Sequence, residues 1–309
     1  MRDRAENPRL HLFAAATAGA TFLLLIAGGL VTSTGSGDAV PDWWFVPISF
    51  GSLFPRMTGG VLFEHGHRLV ATTVGILTAI LAVWLWRAEP RPGVRALGLA
   101  ALGTVIVQGV LGGLRVLQFH PTASAVVHAS LAQAFFLLTV SLAVLTSAGW
   151  RRAGRSLPLG SPSSLSLLSA ATTAGVFVTL VLGAVMRHTG SGITGHVLLA
   201  GVVALLVART VGTVMRNFDG VWALLGPAVA LATLLGLQLM LGLGSFVIVG
   251  TGRPRSAAAP PLHLAVVTGH LAVGALLLAA SFVLTLRAHR LLRPSGAIEV
   301  PARAPGASA

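Results

Sequence analysis

The chain of 309 residues contains no cysteine, no lysine and no tyrosine. Without cysteine there can be no disulfide, no thiolate metal site and no cysteine nucleophile, so any metal must be held by His, Asp or Glu. Charge is also scarce. Only 9% of residues are charged and only 8 are acidic, while 54% are hydrophobic and the mean hydropathy is +0.85. A soluble chain of this length carries far more charge, so lipid is the expected solvent for most of its surface. The net charge of +13 comes from arginines scattered between apolar runs rather than gathered on one amphipathic element. That pattern argues against a nucleic-acid surface and reads as membrane topology.

A membrane span needs about 20 largely apolar residues to cross roughly 30 Å of hydrocarbon. Eight stretches qualify, near 11–33, 59–86, 96–117, 123–149, 164–187, 191–214, 221–249 and 261–286. The first is too long for a signal core and no small-residue cleavage site ends it, so it is expected to be a retained span. Arginines cluster at 2–9, 87–95, 151–155, 209–216 and 287–303, all on one side of these spans. Arg56, Arg68, Arg115, Arg187, Arg253 and Arg255 fall on the other. The positive-inside rule then predicts cytoplasmic termini.

The spans repeat. GGLVTSTGSG at 28–37 recurs as GAVMRHTGSG at 183–192, and QGVLGGLRV at 108–116 is echoed by QLMLGLGSFV at 238–247. The expected fold is an all-α membrane protein whose eight helices form two tandem four-helix bundles of the same orientation, since each copy crosses an even number of times. The divisions are residues 1–149 for the first half, 150–163 for a cytoplasmic linker, 164–286 for the second half and 287–309 for a disordered polar tail. Only the first half has a long outward loop, DAVPDWWFVPISFGSLFPRM. Its tryptophans suit the headgroup region.

Ten histidines in so apolar a chain require partners. His67, His128, His196 and His270 fall in spans two, four, six and eight at similar depth toward the outward end. One imidazole from each of two facing helices supplies the two axial positions of a haem iron, so these residues are candidate iron ligands in two pairs. No HExxH or comparable cluster suggests zinc. His263 lies seven residues before His270, about 10 Å nearer the surface on the same face, and His188 adjoins Arg187. Both are candidate contacts for haem propionates. His65 points about 200° away from His67.

In EHGHR, Glu64, His67 and Arg68 share one helical face. Glu64 is the one acid placed within a span, and the second half has no counterpart. It is a candidate proton-transfer group, the plainer alternative being a pair with Arg68 at the membrane edge. Asp38 and Asp42 read as turn or capping residues. Gln108 and Gln238 are expected to hydrogen-bond between helices, and Gly112, Gly113, Gly242 and Gly244 to allow close packing against a helix or a flat porphyrin.

TGSG at 34–37, PDW at 41–43, Glu64 to Arg68, VVHASLAQ around His128, RHTGSG at 187–192 and TGHLAVGALLL around His270 together resemble the haem A synthase family of cytochrome oxidase assembly. The resemblance implies oxidation of the C8 methyl of haem O to the formyl of haem A, by successive hydroxylations and dehydration of a geminal diol. It implies that His67 and His128 belong to the substrate-haem pocket with Glu64 assisting proton transfer. His196 and His270 would then hold a haem b that relays electrons, with Arg68, His188 and His263 as further haem-contacting residues. Expected partners are haem O, molecular oxygen or water as the oxygen source, a membrane electron donor, membrane lipid and, as candidates, haem O synthase and a second copy of the chain. The expected location is the bacterial plasma membrane, with the haem sites toward the outward leaflet. The chain departs from many members in lacking a cysteine pair in the first outward loop, in the near absence of that loop in the second half, and in having no Arg after His196. Two other functions fit parts of the pattern: a di-haem b-type electron-transfer protein without a substrate, and a transporter, which predicts no haem at all.

Overall fold

The computed structural model describes residues 7–43, 47–117, 121–152, 163–250 and 258–292. Among the described residues, eight long helices are apolar enough to cross a membrane. They are α1 (Pro8–Ser33), α2 (Gly59–Ala88), α3 (Pro92–Val116), α4 (Pro121–Thr146), α6 (Ser163–Thr189), α7 (Ile193–Asn217), α8 (Trp222–Gly250) and α9 (Pro261–Leu291), with a short α5 (Ala148–Arg152) after α4. Several starts follow from local chemistry. The Asn7 side chain accepts the Leu10 N–H at 3.0 Å, and proline opens α1, α3, α4 and α9, where its missing N–H costs nothing. All eight expected spans are present as helices.

One boundary moves further than the hydropathy suggests. Helix α9 continues past residue 286 to Leu291. Arg287 donates to the Ala223 carbonyl at 2.9 Å, and the Arg290 guanidinium lies 4.3 Å from the centre of the Trp150 ring. These anchors extend the helix into what composition marks as tail. Residues 153–162 of the expected linker and 293–309 of the tail lie outside the described residues.

Contacts run α1 to α2, α2 to α3, α3 to α4 and α4 back to α1, and the same cycle recurs through α6, α7, α8 and α9. One apolar cluster, with Leu10, Val74, Leu81, Leu85, Phe135 and Leu142, sits inside the first ring, and another, with Val207, Leu224, Leu231, Leu278 and Leu284, inside the second. The rings meet where α1 and α4 pack on α6 and α9, around Leu25, Phe136, Ala275 and Ala279. Lipid offers no hydrophobic drive to bring helices together, so this seam depends on close packing and polar bonds. Ser33 and Thr268 share a hydrogen bond at 2.9 Å, and Arg187 of α6 donates to the Gly29 carbonyl of α1 at 3.0 Å and to the Ser33 hydroxyl.

Candidate functional site

The two TGSG copies stop their helices alike. Gly35 and Gly190 are both left-handed, with φ of 65° and 73°. After α1, Ser36 N–H bonds the Val31 carbonyl at 2.9 Å and Gly35 N–H the Thr32 carbonyl at 3.3 Å, the paired arrangement that ends a helix on a left-handed residue. After α6 the chain re-enters α7 at Ile193, and residues 189–195 are exposed. After α1 it enters the long outward loop.

Among the described residues, that loop is fastened chiefly by the EHGHR turn of α2. Glu64 Oε2 accepts the Val40 N–H at 2.8 Å and its Oε1 accepts Arg68 at 2.9 Å. Arg68 also donates to the carbonyls of Asp42 at 2.7 Å and Val40 at 3.1 Å. His65 is fully buried and uses both ring nitrogens, Nδ1 with the Ser49 hydroxyl and Nε2 with the Leu53 carbonyl, each at 2.8 Å. Between these two points Ser49 and Ser52 bridge each other across Phe50 and Gly51, both at positive φ, 52° and 73°. The tight turn presents Phe50, Leu53 and Phe54 outward, an apolar tip suited to the membrane interface. At the start of the loop Asp38 pairs with Arg115 of α3, and the Trp43 indole occupies the space where a side chain on Gly113 would stand.

Two expectations change here. Asp38 and Asp42 do more than cap turns: Asp38 forms an ion pair, and Asp42 accepts the Phe50 N–H at 2.8 Å while lying 3.5 Å from Arg68. His65, which sequence reasoning set aside, is the central clamp of the loop. The available signal was its position, on the side of α2 opposite His67, where a loop returning over α2 would meet it.

With Glu64, His65 and Arg68 turned to the loop, His67 faces the helices. Its ring lies against Gly28 of α1, as the His128 ring lies against Gly112 of α3. In the second ring the His196 and His270 rings are 6.4 Å apart, centre to centre, at an interplanar angle of 77°. Two metal–nitrogen bonds of about 2 Å, with about 1 Å from nitrogen to ring centre on each side, span about 6 Å. This separation fits a pair of imidazoles sharing one iron. Among the described residues no three His, Asp or Glu side chains cluster as a bare metal ion would need.

Gln108 bridges α3 and α4 as expected, its amide donating to the His128 carbonyl at 3.1 Å. A Cβ added at Gly112, Gly113 or Gly242 would meet the side-chain rings of His128, Trp43 and His270 respectively, and one at Gly244 would meet Val266. His263 is buried in α9, and His188 lies in the last turn of α6. His120, Arg253 and Arg255 lie outside the described residues.

The fold and these residues define a multi-pass helical membrane protein with paired intramembrane histidines. Residues 56–195 match the COX15-CtaA family model, described as cytochrome oxidase assembly protein. The chain is 31% identical over 204 residues to the "Heme A synthase" of Symbiobacterium thermophilum, covering 63% of this chain and 64% of that protein. It is 31% identical over 141 residues to that of Alkalihalophilus pseudofirmus, covering 45% and 47%, and 40% identical over 92 residues to that of Shouchella clausii, covering 29% and 30%. The chain spans about half the length of the curated relatives it matches. Over these stretches the chain is similar to cytochrome oxidase assembly proteins, the haem A synthases among them.

Proposed function

We propose that the chain is an oxidoreductase of haem A biosynthesis that converts the C8 methyl of haem O to the formyl of haem A. The observation that supports this best is the inequality of the two histidine pairs: both lie among the helices, but only His67 and His128 sit beside an anchored loop and a carboxylate. In this reading His67 and His128 hold haem O, and His196 and His270 hold a haem b, with Arg68, His188 and His263 on the propionate side. A bound haem b supplies one-electron transfer.

The chain's own residues do the rest. His65 and Arg68 hold the loop against α2, and Glu64, three residues before His67, holds or moves a proton at its carboxyl group. Oxygen comes from molecular oxygen or water, and electrons pass through a membrane donor. The arginine distribution supports cytoplasmic termini and haem sites toward the outward leaflet, and the location proposed is a bacterial plasma membrane.

The optical spectrum of the purified protein is the first test, since lack of a haem Soret band removes every haem reading and leaves a transporter. Coexpression with a haem O supply, followed by haem extraction, tests the reaction: haem A and its hydroxylated precursor are expected. A folded, haem-loaded protein that yields neither is instead the di-haem electron carrier. That second reading draws support from Glu64, whose two oxygens are both engaged by Arg68 and Val40. Glu64→Gln separates them further. It is expected to retain haem and lose product, and unchanged turnover would make Glu64 a loop anchor alone.

A further inference from the structure

Each of the four intramembrane histidines rests against a glycine of the neighbouring helix. A side chain built on Gly242 of α8 would stand 3.0 Å from His270 Cε1, on Gly28 of α1 3.2 Å from His67 Cε1, on Gly183 of α6 3.2 Å from His196 Cε1, and on Gly112 of α3 3.6 Å from His128 Cε1. Gly28 and Gly183 are equivalent in the repeat, as are Gly112 and Gly242. In all four cases Cε1 is nearest and Nδ1 next. Nε2 is the more distant nitrogen: 3.9 Å at Gly28 and 3.8 Å at Gly242, and beyond 4 Å at the other two.

We infer that Gly28, Gly112, Gly183 and Gly242 are positioning residues, each admitting the Cε1–Nδ1 edge of one imidazole onto a helix backbone and so presenting Nε2 as the atom for iron. This rests on the proposed haem ligation and goes beyond it, by assigning what fixes the ligand nitrogen. A helix surface without a Cβ lets a ring approach the backbone, where the carbonyl four residues earlier can accept from a ring N–H. Such a hydrogen bond sets the tautomer and the ring's orientation. His196 Nδ1 lies 3.0 Å from the Thr179 carbonyl, and Thr179 precedes Gly183 by four. In His67, His128 and His270 the Nδ1 on the glycine side of the ring is buried without a hydrogen-bond partner. The half of the ring against the glycine is thus closed to a metal, and the other half is open.

The four clearances differ, and that gives the test its order. Alanine at Gly242 displaces its ring most, at Gly28 and Gly183 less, and at Gly112 least, where the contact is ordinary. Three of the four substitutions, at Gly242, Gly28 and Gly112, have a matched control on the same helix where an added Cβ meets nothing within 4 Å: Gly236 on α8, Gly19 on α1 and Gly109 on α3.

The experiment uses the full chain, purified with haem b and haem O bound, and compares Gly242→Ala with Gly236→Ala, Gly28→Ala with Gly19→Ala, and Gly112→Ala with Gly109→Ala. Two readouts are taken, the low-spin ferric electron paramagnetic resonance spectrum and the rate of haem loss to apomyoglobin. The expected result is an altered low-spin signal and about 10-fold faster haem loss in Gly242→Ala, confined to the His196/His270 pair. Gly28→Ala changes only the other pair, Gly112→Ala changes least, and the controls match the wild type. Seat variants that keep wild-type signals, or that lose both pairs together as a general packing defect would, overturn the inference while leaving haem ligation standing. A wild-type protein that holds no haem instead overturns the proposed function, and the inference with it.

Discussion

The outward ends of the two helix rings begin from the same four residues and diverge completely. Past Gly35 the chain builds a loop held by Glu64, His65, Arg68 and Arg115; past Gly190 it turns at once into α7. The corresponding position near His196 reads SGITGHV and supplies neither acid nor arginine for such a task. The helices and their histidines are what the rings share, and the cover is what distinguishes them. Under the proposed function the first pair admits and releases a large substrate and so needs a cover, whereas a resident electron carrier at the second does not.

The sharpest way to break this comparison is to remove one ligand from each side. His270→Ala is expected to abolish haem at the second pair, lowering the content of fully loaded protein from about two haems per chain toward one, as measured by pyridine haemochrome. His67→Ala should spare that haem and remove only the exchangeable one. Loss of both haems from either variant would mean that the pairs are not independent.

The next effect concerns the cover alone. Arg68→Ala leaves Glu64, whose side chain is 5% exposed, without its cation and frees two loop carbonyls. Breaking a buried pair costs about 3–5 kcal/mol. Part of that is recovered if the loop lifts and water reaches Glu64. Limited proteolysis within 38–58 should therefore accelerate while the His196/His270 spectrum stays unchanged.

At the opposite end of the first ring, Glu89 follows α2 with its side chain fully buried and is met by Arg91 at 2.7 Å and Arg151 at 2.9 Å. Burial alone would push the Glu89 carboxyl upward, but the hydrogen bonds and charge of Arg91, with Arg151, hold it below the usual value. A depressed folded-state value means stability that is present above the unfolded pKa and lost as pH falls through the folded one. Thermal melts of the wild type should therefore soften on acidification below about pH 4.5, and Glu89→Gln should remove that part of the dependence. The smallest effect is expected at the seam. Ser33→Ala removes the bond to Thr268 and one contact of Arg187, worth about 1 kcal/mol in a membrane bundle, and should lower the melting temperature slightly without altering either haem signal.

The helices were legible because lipid imposes a length and a polarity that few other constraints blur. The histidines stood out for the same reason, as polar groups that the apolar background makes conspicuous. Arg68 with Glu64 was legible too, being a pair four residues apart on one helix. What stayed hidden joins residues far apart in the chain: His65 to Ser49 and Leu53, Arg115 to Asp38, Glu89 to Arg151, and Arg187 to Gly29. Periodicity carries no signal for such bonds, because each depends on where a loop or a neighbouring helix comes to rest. The glycines were noticed, but the rings they receive could be named only once the helices were placed.

The left-handed stop at Gly35 and Gly190 has a further consequence for how such a chain can be rebuilt. Because the first glycine of TGSG closes its helix with bonds drawn only from that helix's own last turn, whatever follows is structurally decoupled from what precedes it. The motif is a natural splice point. Loop length can grow or shrink there at little entropic cost, since closing a longer loop becomes only slowly more expensive. A chimaera carrying residues 38–58 after Gly192 would keep both helices. It would still lack the Glu64, His65 and Arg68 counterparts that hold such a segment down, so transplanting the cover requires transplanting its fastenings.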